Sequence, residues 1–276
     1  MHKGEKPEVY FHVGLGKVAS SYLQQRVFPK LDGIHYISTH RYKRSIGEIK
    51  KGRFDKYLVS REFDKQFERE VKWFSSHYPD THVIIVFRRH DSWIASQYRR
   101  FVKNGKTMEF SDFFNLDESR SFWKHEHILF YWKLGLIEKC FTKKPLVLFH
   151  DELKEDAWVF FDKISKYAGA SYDKKKVSLK RTHSSYSEKQ LRVLKAFCKR
   201  YKKTPPVGYS NKWKHWLLYR PWWALFHLIM YAAAYFPEAW VPKTPLILEA
   251  ELAPIRAAFD EDWKKVKAYA LKNNPS

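Results

Sequence analysis

The pattern of apolar and polar positions predicts strands and helices that alternate through the first two thirds of the chain. Apolar runs typical of strands covered on both faces occupy residues 9–13, 82–87 and 145–149. Residues 64–78 carry an apolar side chain at every third or fourth position, which predicts an amphipathic helix. Further short strands are predicted at 34–38 and 57–60, and further helices at 20–28, 91–102 and 155–168. This alternation predicts a doubly wound parallel sheet.

The last quarter of the chain has a different pattern that is rich in tryptophan. Its apolar run, residues 221–236, is shorter than the ~20 residues that span a bilayer. Three interpretations stay open for residues 213–240: a buried helix or helical lid, an interfacial helix with aromatics at headgroup level, and a transmembrane span. A final helix is predicted at 247–272. We predict one domain over residues 1–200 and a helical extension over 201–276 that packs on or completes it.

The composition limits which binding partners and which cellular compartment are expected. The net charge of +22, from 52 Lys and Arg against 30 Asp and Glu, favours anionic partners such as nucleotides, acidic glycans, anionic lipids or nucleic acid. Cys140 and Cys198 have no metal or redox spacing, which indicates a reducing compartment. Residues 1–7 lack the apolar core of a signal peptide. The expected location is therefore the cytoplasm, with peripheral attachment to the cytoplasmic face of a membrane as an open alternative.

A glycine loop that carries a lysine follows the first predicted strand. Loop amides around Gly14 and Gly16 together with the charge of Lys17 suit a phosphate-like anion. The nucleotide-hydrolase pattern GxxxxGK[ST] is not met, because Phe11 replaces its first glycine and Val18 follows the lysine. The hydroxyl that usually ligates Mg²⁺ is missing, so we predict an anion site without a metal.

A second anion-binding group is predicted at the end of the strand 82–87. Arg88 follows this strand, at the edge where open α/β sheets bind ligands, and Ser96 comes eight residues later in the next helix. A guanidinium and a hydroxyl so placed can share one phosphate group. Together with Lys17, they predict a site with two poles, one for a 5′ group and one for a more distant phosphate.

These motifs, in this order, resemble those of the sulfotransferases that use 3′-phosphoadenosine 5′-phosphosulfate (PAPS). Residues 14–21, GLGKVASS, are similar to the family's GxxKTGTT loop, and Arg88 and Ser96 match its second motif. Residues 59–63 (VSREF) and 147–153 (VLFHDEL) resemble the "SSE-F" and "YEDL" segments of bacterial members. The resemblance covers about residues 9–170.

The resemblance implies a P-loop-NTPase-like three-layer α/β sandwich with a central parallel sheet. It also implies transfer of a sulfuryl group from PAPS without a metal. The numerous Lys and Arg residues suit an anionic glycan and the Trp-rich tail suits a lipid-linked acceptor, so the expected acceptor is a hydroxyl of a carbohydrate or glycolipid. Lys17 would stabilise the leaving phosphate and Glu62 would be the candidate base, with His12, His35 and His40 as alternatives. The residues implied to bind the nucleotide are Gly14, Gly16, Lys17, Ala19, Ser20, Ser21, Arg88 and Ser96, and Arg181 is a further candidate.

The sequence also departs from the family pattern and leaves other functions open. Val18 replaces the usual threonine, and His90-Asp91 replace the usual residue-Pro pair. The alternatives are a P-loop-type small-molecule kinase, a sulfotransferase for a small alcohol or phenol, and an inactive sulfotransferase-like binding protein. No nucleic-acid-binding module is recognisable, so specific nucleic acid is not an expected partner. The expected partners are the nucleotide, a glycan or glycolipid and an anionic membrane surface.

Overall fold

A five-stranded parallel sheet forms the centre of the computed structural model, which describes residues 6–117, 121–180, 186–201 and 211–275. The strands in chain order are β1 (Glu8–Gly14), β2 (Leu31–Asp32), β3 (His35–Ile37), β4 (Lys56–Glu62), β5 (His82–Phe87), β6 (Leu146–Phe149) and β7 (Ser171–Tyr172). The sheet has the order β3-β4-β1-β5-β6, so β1 lies between β4 and β5 and parallel to both. The short strands β2 and β7 form a separate antiparallel pair. The parallel sheet predicted from the sequence is confirmed.

Helices and loops join these strands. The α-helices are α1 (Ser20–Tyr22), α2 (Ser45–Lys50), α3 (Phe67–Ser75), α4 (His90–Lys103), α5 (Phe110–Phe113), α6 (Phe130–Cys140), α7 (His150–Glu155), α8 (Ala157–Ala168), α9 (Glu188–Arg200), α10 (Lys212–Lys214), α11 (Arg220–Ala233), α12 (Glu249–Ala258) and α13 (Asp260–Asn273). Leu23–Val27 and His215–Tyr219 are π-helical, and 3₁₀ turns occupy Phe28–Lys30, Thr39–Arg44, His125–Ile128, Lys174–Lys176 and Glu238–Trp240.

The helix predicted at 20–28 is an α-helical turn followed by the π-helical segment Leu23–Val27, and the predicted final helix is divided into two. Residues 247–272 form two helices, α12 and α13, which are separated at Phe259 (φ −104°, ψ 10°). Phe259 is buried and its ring stacks on that of His90 at 5.0 Å. An acidic first turn then begins α13, which favours a new helix N-terminus there. The continuous helix was therefore a wrong prediction.

The apolar runs form buried strands because successive side chains point to opposite faces of the sheet, and other elements cover both faces. In β5, Val83 through Phe87 are fully buried. On β1, Phe11 stacks on Phe74 of α3 at a centroid distance of 4.2 Å. The next residue, His12, packs against Phe28 at 5.1 Å. Both faces of the central strand are thus covered, as its composition predicts.

The chain divides into two compact units. The first comprises Met1–His90, Glu126–Thr182 and Phe259–Ser276 and contains the five-stranded sheet; the second comprises Asp91–His125 and His183–Ala258 and is helical in its described part. Within the second unit, α9 packs on α11, and the Gln190 amide donates to the Met230 carbonyl at 2.8 Å. The division at residue 200 stays a prediction. In the described chain, no helix combines the length and apolarity needed to cross a bilayer.

Candidate functional site

The loop after β1 has an unusual backbone conformation. Lys17 and Ala19 both have φ of 70°, in the left-handed region that residues with a side chain rarely adopt. Such conformations cost about 1–3 kcal/mol each and persist where the surroundings enforce them. Here the fully buried side chain of Val18, between the two residues, anchors the loop. Left-handed residues in such turns build concave arrays of backbone N–H groups that bind anions.

Gly14 is required at the end of β1 by close packing. A Cβ atom at this position would lie 2.5 Å from the Ser20 Oγ and 2.9 Å from the His12 Cε1. The buried Ser20 hydroxyl donates to the Leu15 carbonyl at 3.0 Å, so it holds the loop closed on the first turn of α1. Ser21, by contrast, is exposed. The structure therefore places the Ser20 hydroxyl in a contact within the loop.

Two carboxylates from the end of β4 also contact the loop. Glu62 pairs in register with Gly14, and its Oε1 accepts a hydrogen bond from the Ser21 Oγ at 3.1 Å. Asp64 accepts one from the Gly16 backbone N–H at 3.0 Å. Sequence analysis missed Asp64, although its place two residues beyond Glu62, at the carboxyl edge of the sheet, was an available signal. The Asp64 carboxylate therefore accepts the hydrogen bond of one of the backbone N–H groups of the loop.

Arg88 brings a second positive charge to the same loop. It follows the last residue of β5, and its Nη1 donates to the Lys17 carbonyl at 3.4 Å. His150 begins the helix after β6, and its pKa is lowered to about 4, first by burial and then by the positive charges of Arg88 and Lys154. At neutral pH this imidazole is uncharged. The ends of β1, β5 and β6 therefore present two cations and a neutral imidazole at one edge of the sheet.

Ser96, Ala19 and Arg181 are the remaining residues predicted to bind the nucleotide. Ser96 lies on α4 and is partly buried, in the stretch of that helix assigned to the second unit. Ala19 lies in the loop itself, partly buried. Arg181 lies outside the described residues. The roles predicted for these residues stay predictions.

The three histidines considered as bases differ in their surroundings. His12 is completely buried, and burial lowers its pKa to about 3, while its Nδ1 lies 2.8 Å from the Ser60 Oγ. A base so weak binds few protons at neutral pH. The His35 Nε2 lies 3.1 Å from Glu48, and His40 is exposed in a 3₁₀ turn. Glu62, the carboxylate predicted as the base, is hydrogen-bonded to Ser21 at the end of the loop.

Lys133 is a further charged residue that sequence analysis missed. It lies in α6 and is buried, with its Nζ 4.9 Å from the ring centre of Phe67. Burial lowers its pKa to about 8, opposed by the charges of Asp64, Asp262 and Glu68. The signal was a single lysine between the apolar stretch 134–137 and its preceding aromatics. Lys133 supplies a positive charge that acts on Asp64, the residue that contacts the loop.

Asp262, in the first turn of α13, contacts the first residues of α4 and α6 in the first unit. Its carboxylate lies 3.0 Å from the His90 Nε2 and accepts a hydrogen bond from the Phe130 N–H at 3.0 Å. It therefore caps α6, the helix that carries Lys133. Within the described residues, no group of three or more His, Cys, Asp and Glu side chains is placed to hold a metal ion.

Comparison with known proteins agrees with this architecture. A crystal structure of a sulfotransferase from Alicyclobacillus acidocaldarius matches with a TM-score of 0.50 over 86% of this chain and 99% of that chain, at 13% sequence identity. The chain shares the fold of that sulfotransferase. No family model matches the sequence, and no curated protein does. The likeness confirms the predicted α/β sandwich, and the function must be argued from the site.

Proposed function

We propose that this protein is a PAPS-dependent sulfotransferase that modifies a hydroxyl of a carbohydrate or glycolipid. The observation that carries the proposal is the loop after β1, where Lys17 lies in a left-handed turn and Arg88 reaches the Lys17 carbonyl from the end of β5. This arrangement brings two cations and a set of backbone amides to the carboxyl edge of a parallel sheet. The shared fold supports the same chemistry.

The loop fits the 5′ end of the nucleotide. A phosphosulfate group presents several oxygens, which suit backbone N–H donors and the ammonium group of Lys17. Ser21 is exposed beside the loop and can add a hydroxyl donor. Val18 is buried and has no hydroxyl, so the loop lacks the usual Mg²⁺ ligand of a kinase. The Arg88 guanidinium suits the 3′-phosphate, with Ser96 and Arg181 as further proposed contacts.

The reaction forms a bond between the acceptor oxygen and sulfur while the bond from sulfur to the 5′-phosphate oxygen breaks. The electron pair of the broken bond goes to the phosphate, and the Lys17 ammonium stabilises this growing charge more in the transition state than in the ground state. The acceptor proton goes to the Glu62 carboxylate. In the structure Glu62 accepts from Ser21, so the acceptor hydroxyl would replace or join this donor.

The charge of the protein suits a carbohydrate acceptor that is itself acidic. A net charge of +22 attracts anionic polymers and raises their local concentration at the surface. A small neutral alcohol or phenol would gain nothing from this charge. We therefore favour a glycan or glycolipid hydroxyl over a small alcohol as the acceptor.

Calorimetry with the product nucleotide, 3′-phosphoadenosine 5′-phosphate, tests the role of the loop. Lys17→Ala should weaken binding about 10- to 100-fold, since a charge-assisted hydrogen bond contributes about 1.5–3 kcal/mol. Lys50→Ala is the matched control, because it removes the same charge from an exposed position on α2 and should leave binding unchanged. Equal affinities of both variants, or a preference of the wild type for Mg-ATP, would contradict the proposal.

A further inference from the structure

The outward face of α11 is apolar and exposed. Its inward face is buried through Phe226, Met230 and Ala233, which follow the spacing of one helical face. On the other face, the Leu228 residue is 66% exposed, and Tyr235, just past the end of the helix, is 90% exposed. A helix that packs against its own unit on one side normally presents polar residues on the other. Here the second side is apolar as well.

This apolar face continues into the π-helical turn that precedes α11. Exposed apolar residues follow one another at intervals of three or four positions, which places them on one side of a helix. We call this set the outer stripe: Leu217, Pro221, Ala224, Leu228, Tyr231 and Tyr235. Contiguous exposed apolar surface of this kind marks a site that contacts a partner or a membrane.

Tryptophans and basic residues lie around the outer stripe. Trp213 is 75% exposed before it, and Trp240 is 71% exposed after it. Tryptophan is enriched at the boundary between lipid chains and headgroups, because its ring is both apolar and a hydrogen-bond donor. Lys214 and Arg220 are exposed, and residues 211–237 contain no Asp or Glu. The segment is thus positive and apolar at once.

We propose that the outer stripe binds the surface of an anionic phospholipid membrane, with α11 lying in the plane of the interface. Charge selects this partner, because Lys214 and Arg220 complement acidic headgroups, whereas a second copy of the chain would present the same positive charges to them. A helix of 14 residues is about 21 Å long, which suits lying along a membrane surface. The proposal does not depend on the reaction proposed above.

Vesicle flotation of the full chain tests the proposal. The wild type should float with vesicles of mixed phosphatidylcholine and phosphatidylglycerol and remain unbound with phosphatidylcholine alone, and its binding should fall as salt is raised. Tyr235→Glu and Leu228→Glu should each lower the partition coefficient about tenfold or more, because a carboxylate would enter the apolar boundary. Leu271→Glu is the matched control: Leu271 is 91% exposed on α13, outside the stripe, and this variant should float like the wild type.

A second pair of variants isolates the charge. Lys214→Glu should weaken binding to anionic vesicles about tenfold, whereas Lys272→Glu, an identical change at an exposed position of α13, should have little effect. Thermal melts establish that the variants are folded, and Tyr235 lies past the helix end, so its replacement leaves α11 intact. The proposal is overturned if the wild type does not float at low salt, or if stripe and control variants float equally. It is also overturned if light scattering shows a dimer that the stripe variants dissociate, because the stripe would then be an interface between copies.

Discussion

Strand β5 and helix α11 are both strongly apolar, yet the apolar side chains of β5 are buried and many of those of α11 are exposed. Val83 through Phe87 of β5 are fully buried, whereas Leu228 of α11 is largely exposed. A parallel strand receives helices on both faces, so an unbroken apolar run is satisfied inside the fold. A surface helix that is apolar on all sides packs one face against its own unit and leaves the opposite apolar face exposed. The same composition therefore forms a core in one region and an exposed apolar surface in the other, for which we propose a binding role.

The largest expected difference in stability is between two variants that each shorten one apolar side chain, one in β5 and one in α11. Ile85→Ala should lower the free energy of unfolding by about 2–5 kcal/mol, because it leaves a cavity in a closely packed sheet. Leu228→Ala should change it by less than about 0.5 kcal/mol, since the side chain is mostly in water already. Urea denaturation of both variants checks the contrast. Losses of similar size would mean that the outer stripe is covered within the chain.

A pair of glycines compares a crowded backbone position with an open one. Gly14→Ala should destabilise the protein by about 1–3 kcal/mol, because the new Cβ would collide with the Ser20 Oγ and His12 Cε1. Gly47→Ala, in α2, meets no atom within 4 Å and should stabilise it by about 0.5–1 kcal/mol. Opposite shifts of the melting temperature are the expected result. A neutral Gly14→Ala would show that the loop is not packed as described.

Lys133 is the opposite of Leu228: Leu228 is an apolar side chain exposed to water, whereas Lys133 is a charged side chain that is buried. Its pKa is lowered to about 8 by burial, so below pH 8 the folded chain carries a charge that would be better solvated when unfolded. Lys133→Met should raise the free energy of unfolding by about 1–3 kcal/mol at pH 7. Between pH 8 and the ordinary lysine pKa of 10.5, the folded wild type has released a proton that the unfolded chain keeps, so wild-type stability gains with pH.

The advantage of Lys133→Met should therefore shrink over that pH range. Urea denaturation of both proteins at pH 7, 9 and about 10.5 measures it. A variant that is less stable than the wild type at pH 7 would show that the ammonium group is held by contacts stronger than its desolvation cost.

Asp64→Asn gives the smallest effect that is still informative. The amide keeps an oxygen to accept from Gly16 but removes the negative charge, so affinity for 3′-phosphoadenosine 5′-phosphate should rise about 3- to 10-fold. Asp55→Asn, an identical change at an exposed position before β4, should leave affinity unchanged. Calorimetry distinguishes the two. A weaker complex with Asp64→Asn would mean that the carboxylate braces the loop rather than competing with the anion.

The strands of the five-stranded sheet were predictable from the sequence because an apolar run directly indicates burial, whereas the two-residue strands β2 and β7 were not predicted. Residues 82–87 were predicted with the bounds that β5 has, and β6 differs from its prediction by one residue. The break between α12 and α13 was not predictable, since it accompanies the stacking of Phe259 on His90, which are far apart in sequence.

The candidate site was predictable where one motif contains its residues. Gly14, Gly16 and Lys17 form a short loop, and their order along the chain is enough to indicate an anion-binding role. The contact of Asp64 with Gly16 joins residues 48 positions apart, which follow adjacent strands, and the position of Lys133 depends on how α6 packs. Left-handed conformations at Lys17 and Ala19 were also hidden, because neither residue type favours them.

The most direct test of the account measures whether Arg88 recognises the 3′-phosphate. Calorimetry would compare 3′-phosphoadenosine 5′-phosphate with adenosine 5′-phosphate on the wild type, Arg88→Ala and Arg53→Ala, the last removing the same charge from an exposed position. We predict that the 3′-phosphate strengthens binding about 10- to 100-fold in the wild type and Arg53→Ala, and only slightly in Arg88→Ala. An equal preference for the 3′-phosphate in all three proteins would contradict the two-pole site, and no binding by the wild type would contradict the proposed function itself.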